Sequence, residues 1–208
     1  MKPTIRFTSS LSLLVFTCCC LQPYATIVRN ERVLDTRGRK VIIGEGYSIL
    51  AAVSGSGGAV TLENETNCTA GAIQEPKESK LEVDSVSFQP GSPKTGSIRT
   101  NTLLNIFFFR PIPTEGELDS RCVFKRGWQV GPRDKKKKLY FVIGGGDQSG
   151  KARFMIMGTS NNYTFWFCQE SKSCRAIGVY DDEGTRRLAL SNAPFAFKFV
   201  NRFDYFLS

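Results

Sequence analysis

A chain of 208 residues with 41% apolar side chains is long enough to bury one substantial core and short enough to form a single domain. Its 28 lysines and arginines outweigh 19 acidic residues, and the net charge of +9 favours solubility and acidic partners without identifying one. The chain contains no histidine, which excludes the usual Ser/His and Cys/His nucleophilic pairs and the commonest metal ligand, so neither an enzyme nor a metal or cofactor site is expected.

Residues 1–25, MKPTIRFTSSLSLLVFTCCCLQPYA, place Lys2 and Arg6 ahead of a short apolar run, Leu11 to Phe16, and then small residues. That is the layout of a secretory signal peptide, with an apolar run too short to span a bilayer. Cleavage falls after Ala25 or after Cys20, leaving one domain over 26–208. No later segment sustains a helical period, whereas two-residue alternation recurs. It marks strands in YSILAAV (47–53), AVTL (59–62), SVSF (85–88), LLNIFFF (103–109), LYFVI (139–143), ARFMIM (152–157), YTFWFC (163–168), RRLAL (186–190) and FAFKFV (195–200). Turn clusters separate them about every ten residues. About twelve short strands must close on themselves to hide their edges, and three comparable segments of about 60 residues favour a barrel or trefoil over a sandwich.

The connections carry the remaining signals. SGSGG (54–58) reads as a hairpin tip. SFQPGSPKTGSIR (87–99) is longer than the two to five residues that a turn between adjacent strands needs, which makes it a candidate contact loop. RDKKKK (133–138) reads as a solvated loop rather than a nucleic-acid surface, which would need basic residues spread over a face with aromatic platforms. GGGDQSGKA (144–152) resembles a phosphate-binding loop, but Ala152 stands where Ser or Thr is required and a strand follows instead of a helix. In YDDEGTRRL the carboxylate pair Asp181 and Asp182 is expected in a turn.

Without the leader four cysteines remain, Cys68, Cys122, Cys168 and Cys174, and an even count in a secreted chain implies two disulfides with three possible connectivities. CQESKSC closes as a tight hairpin and pairs Cys168 with Cys174, which leaves Cys68 for Cys122 across a loop that encloses 87–99. Asn64, Asn67 and Asn162 head glycosylation sequons.

One layout is more specific. In VLDTRGRKVIIGEGYSI, Val33 and Asp35 are followed by Gly38, Arg39 and Val41, then Tyr47 and Ile49. This resembles the N-terminal signature of the plant Kunitz family of soybean trypsin inhibitor type, which includes the miraculin-like proteins. The resemblance continues through AIQEP, SVSFQP, LLNIFFF, Trp128 ahead of YFVIGGG, YTFWFC, IGVYDDEGTRRLALS and PFAFKF, covering about residues 31–200. It implies a β-trefoil with the same two disulfides, in the apoplast or the vacuole.

The implied activity is inhibition of trypsin-like serine endopeptidases by an exposed loop bound like a substrate, by a monomer with no nucleic-acid or membrane partner. The alternatives are inhibition of papain-like cysteine proteases, or a non-inhibitory storage, taste-modifying or ligand-binding trefoil. Counting back from LNI places the scissile position at Lys94, with Pro93 before it and Thr95 after it; counting forward from Cys68 places it at Ser92. Inhibitory members carry an asparagine that braces the loop from inside, and here that position is Ile43.

Overall fold

The computed structural model describes residues 30–63, 70–76, 84–91, 96–109, 127–146, 153–159, 162–169 and 173–205. Among these, twelve strands and one helical turn follow in chain order. The first four strands are β1 (Tyr47–Ala51), β2 (Val60–Leu62), β3 (Ala70–Gln74) and β4 (Ser85–Pro90). The next four are β5 (Leu103–Phe109), β6 (Gly127–Arg133), β7 (Tyr140–Gly146) and β8 (Phe154–Thr159). The last are β9 (Asn162–Gln169), β10 (Ser173–Asp182), β11 (Thr185–Ser191) and β12 (Ala196–Asn201), followed by α1 (Arg202–Tyr205).

Six strands close a barrel. The antiparallel pairings run β1 to β4, β4 to β5, β5 to β8, β8 to β9, β9 to β12 and back from β12 to β1, so the circuit has no free edge. The other six form three hairpins, and their third-position strands meet in a triangle: Ala70 faces Gly144, Phe141 faces Ala189 and Arg187 faces Ile73. A six-stranded barrel capped by three hairpins is a β-trefoil, with each run of four strands supplying two barrel strands and one cap hairpin. At Gly144 this junction packs closely against the Leu62 side chain. A Cβ added at Gly144 would stand 2.7 Å from Leu62 Cδ2.

The barrel closes because alternate residues of its strands are large, apolar and inward. Tyr47, Ile49, Val86, Phe88, Ile106, Ile156, Tyr163, Phe165, Phe197 and Phe199 are all buried. Phe165 stacks on Phe197 at 3.9 Å, and Phe199 meets Phe88 edge-on at 5.4 Å. Burial of such rings is the main favourable term in folding, about 1.5–3 kcal/mol each. Toward the cap, the Trp128 ring centre lies 5.2 Å from that of Phe165 and 5.4 Å from that of Phe108, and among the described residues its buried indole N–H has no hydrogen-bond partner.

One expectation changes. β10 continues through Asp181 and Asp182, and the turn itself is Glu183 and Gly184, both at positive φ (55° and 89°), as a two-residue hairpin between twisted strands requires. Asp182 is held in strand by Lys137 and by Arg187, whose Nε lies 2.9 Å from its Oδ2. β3, β6 and β10 are strands that alternation alone did not mark. SGSGG does lie between β1 and β2, joined below it by a Leu50–Ala59 bridge, and RDKKKK forms the tip of the β6–β7 hairpin. Gly144–Gly146 end β7 and β8 begins at Phe154; the rest of GGGDQSGKA, 147–152, lies outside the described residues.

Candidate functional site

The β4–β5 connection lies at the barrel end away from the cap, since β4 leaves the cap hairpin β2–β3 and β5 leads into the hairpin β6–β7. Both of its arms are fastened. On the entry side, the Gly91 N–H donates to Leu103 O at 3.2 Å, continuing the β4–β5 ladder past Pro90. On the exit side, residues 96–100 lie antiparallel to the N-terminal segment 31–43. The Ile43 N–H donates to Gly96 O at 3.2 Å and the Ile98 N–H to Val41 O at 2.8 Å, with Ser97 bridged to Ile42 between them. The Val33 N–H then donates to Ile98 O at 3.0 Å, and the Thr100 N–H to Glu31 O at 2.8 Å. Ile98 is buried in the core between these bonds.

The segment 41–43 is itself braced. The buried Tyr47 hydroxyl accepts the Ile42 N–H at 2.9 Å and donates to Glu45 Oε2 at 3.1 Å. Burial pushes the Tyr47 phenol up to about 12, with Glu45 adding to the shift, so it is neutral and able to donate at physiological pH. Upstream, buried Asp35 folds the chain into a tight turn: its Oδ1 accepts the N–H groups of Arg37 and Arg39, each at 2.9 Å, and its Oδ2 accepts Arg39 Nε at 2.8 Å. Asp35 and Asp204 together raise the Arg39 guanidinium above its ordinary value through these bonds. A cleft of about 480 Å³ opens beside this turn, lined by Asp35, Arg39, Lys40, Ile42, Glu45 and Tyr47 among others. Its acidic side chains already have partners within the protein.

Of the residues singled out from sequence, Ser92, Pro93, Lys94 and Thr95 fall between the two fastened arms and lie outside the described residues, as do Cys68, Cys122, Asn64, Asn67 and the leader 1–25. Cys168 and Cys174 form a disulfide across the β9–β10 hairpin, where they are directly paired in register. Asn162 is exposed at the start of β9. The Ile43 side chain packs against the core, so the bracing at this position comes from its backbone N–H and not from a side chain. Tyr47 escaped sequence reasoning because an inward aromatic on a strand reads as core; the available hint was Glu45, one turn residue away. Among the described residues no group of acidic and cysteine side chains is arranged to hold a metal, and no helix is long and apolar enough to cross a membrane.

A capped six-stranded barrel with an oversized, doubly fastened β4–β5 connection defines a β-trefoil with one long anchored loop. The chain belongs to the plant Kunitz family: the family model described as trypsin and protease inhibitor matches residues 33–201. Over 192 residues it is 33% identical to miraculin from Synsepalum dulcificum, covering 84% of each chain. It is 31% identical over 183 residues to Kunitz trypsin inhibitor 4 of Arabidopsis thaliana, covering 80% of each. The crystal structure of a Kunitz type trypsin inhibitor from Cicer arietinum superposes with a TM-score of 0.65 at 31% identity, over 82% of this chain and 98% of that one.

Proposed function

We propose that the protein is a secreted inhibitor of trypsin-like serine proteases that presents its β4–β5 connection as a substrate. In this reading Lys94 enters the specificity pocket and pairs with a carboxylate there, Thr95 follows the scissile bond, and Pro93 limits the backbone freedom of the residue before it. The observation that carries it is the fastening of both arms, Gly91 to Leu103 and residues 96–98 to 41–43, by backbone hydrogen bonds. A loop held at both ends has already lost much of the entropy that binding costs, and after cleavage its new ends stay close enough to be rejoined. Such anchoring needs no asparagine at position 43. A leader over 1–25 would deliver the protein to the secretory route, where Asn162 is open to glycosylation.

A non-inhibitory trefoil is the second reading, favoured by the aliphatic side chain at Ile43, which packs against the core and offers no amide at that position. Titration of trypsin and papain with refolded protein separates the readings. The proposal expects sub-micromolar inhibition of trypsin that Lys94→Ala abolishes and Ser92→Ala leaves intact. Absence of trypsin inhibition, or inhibition indifferent to Lys94→Ala, overturns it, and inhibition of papain alone moves the function to another surface.

A further inference from the structure

The RDKKKK run is not a uniform cloud of charge. At the β6–β7 hairpin tip, Asp134 Oδ1 accepts the N–H groups of Lys136 at 2.9 Å and Lys137 at 2.7 Å, and Lys138 takes a left-handed backbone (φ 57°) with its carbonyl accepting Arg133 Nε at 3.3 Å. Those N–H bonds hold the Asp134 carboxyl below its ordinary range. The tip is therefore a defined turn, and it sorts its cations into two sets. Lys137 points inward to Asp182, which also pairs with Arg187, itself bidentate to Glu63 at 2.6 and 2.7 Å. That inner network balances two cations with two carboxylates. Arg133, Lys135, Lys136 and Lys138 stay outside it: all four are exposed, and among the described residues none makes an ion pair. Four cations against one carboxylate thus stand on a turn spanning six residues.

An aromatic ledge borders them. Lys137 Nζ lies 6.0 Å from the centre of the Phe141 ring, and Phe141 in turn meets Tyr180 edge-on at 6.0 Å, with Tyr180 38% exposed. We propose that this tip and ledge dock a linear acidic polysaccharide carrying a carboxylate on successive sugars. The apolar C–H face of a pyranose ring packs on an exposed aromatic ring, while lysines, as mobile point charges, reach carboxylates spaced along the chain. Single-stranded nucleic acid fits less well: it calls for several successive stacking platforms, and phosphate favours the arginine fork, whereas here one ring is exposed and three of the four unpaired cations are lysines. A membrane surface calls for apolar side chains beside the basic ones, and among the described residues the other large exposed apolar ones, Val53, Leu103 and Phe203, belong to different elements. The tip lies at the capped end of the barrel, opposite the β4–β5 connection, so the proposal is independent of protease inhibition and both surfaces can be occupied together.

The test is binding of the full-length protein to immobilised polygalacturonate at about 0.1 M salt, where screening reaches about 10 Å. The native protein should bind, with affinity falling steeply as salt rises. Lys135→Gln/Lys136→Gln/Lys138→Gln should weaken binding roughly tenfold or more and flatten that salt dependence. Lys40→Gln/Arg153→Gln/Arg175→Gln, which removes the same charge elsewhere, should change it less than about threefold, and Tyr180→Ala should weaken it several-fold. Thermal melts confirm that each variant is folded. No binding by the native protein, equal losses in the two triple variants, or tighter binding to single-stranded DNA or anionic vesicles than to polygalacturonate overturns the proposal.

Discussion

Removal of one oxygen, in Tyr47→Phe, tests how the N-terminal segment is braced. The ring is 1% exposed and touches Phe88 and Phe199, so phenylalanine keeps the packing and deletes only the hydroxyl. Two hydrogen bonds go, and the Ile42 N–H loses its partner, a loss of about 1–2 kcal/mol at neutral pH. The pH dependence is more diagnostic. The phenol ionises near 12 in the folded protein against 10.0 when unconstrained, so above pH 10 the unfolded chain sheds this proton first and folding loses stability until the folded value is reached. That loss is about 1.4 kcal/mol by roughly pH 11, which matches the neutral-pH gap. Urea unfolding followed by tryptophan fluorescence should therefore show native protein ahead of Tyr47→Phe at pH 7 and the two converging near pH 11. Absorbance at 295 nm should show one late-titrating tyrosine that the variant lacks. A gap that stays constant between pH 9 and pH 11, or a Tyr47 signal that titrates with the exposed tyrosines, refutes the bracing.

Asp182→Asn leaves Lys137 and Arg187 facing a neutral amide on the cap and should cost about 1–3 kcal/mol in urea unfolding, more than the loss expected for a surface ion pair, because Asp182 is only 13% exposed. Phe197→Ala removes the ring stacked on Phe165 and should cost about 3–5 kcal/mol, read as a loss of midpoint with little change in urea slope. Replacing Cys168 and Cys174 by serine opens a loop closed over a separation of six and should cost about 2 kcal/mol, checked by comparing thermal midpoints with and without reductant.

The barrel was legible because its strands bury apolar side chains at alternate positions, even where outward ones such as Trp166 and Phe107 are also large. YTFWFC and FAFKFV alternate so strongly that β9 and β12 follow almost residue for residue, and all six barrel strands were marked in this way. The three strands that alternation did not mark, β3, β6 and β10, all belong to cap hairpins. In AGAIQ the buried positions are Ala70, Ala72 and Gln74, two small residues and an amide, and GWQVGPR and SCRAIGVYDD are buried in blocks rather than in alternation. Small, polar or block-buried positions leave no alternation of large apolar residues to read. The candidate loop was visible as an excess of length, but not its fastening, because the 41–43 to 96–98 ladder is made by backbone groups that every sequence carries. The charge network was hidden for a different reason: Arg187 and Glu63 are 124 residues apart, and their pairing exists only once the cap has formed.

The central claim, that the β4–β5 connection meets a protease as a substrate, is tested most directly by incubating the protein with catalytic amounts of trypsin and following its intact mass with time. The account predicts a single cut between Lys94 and Thr95 that stops at a constant mixture of cut and intact chains, both of which still inhibit trypsin. Progressive digestion at many sites, a single cut elsewhere, or complete cleavage with release of active trypsin contradicts it.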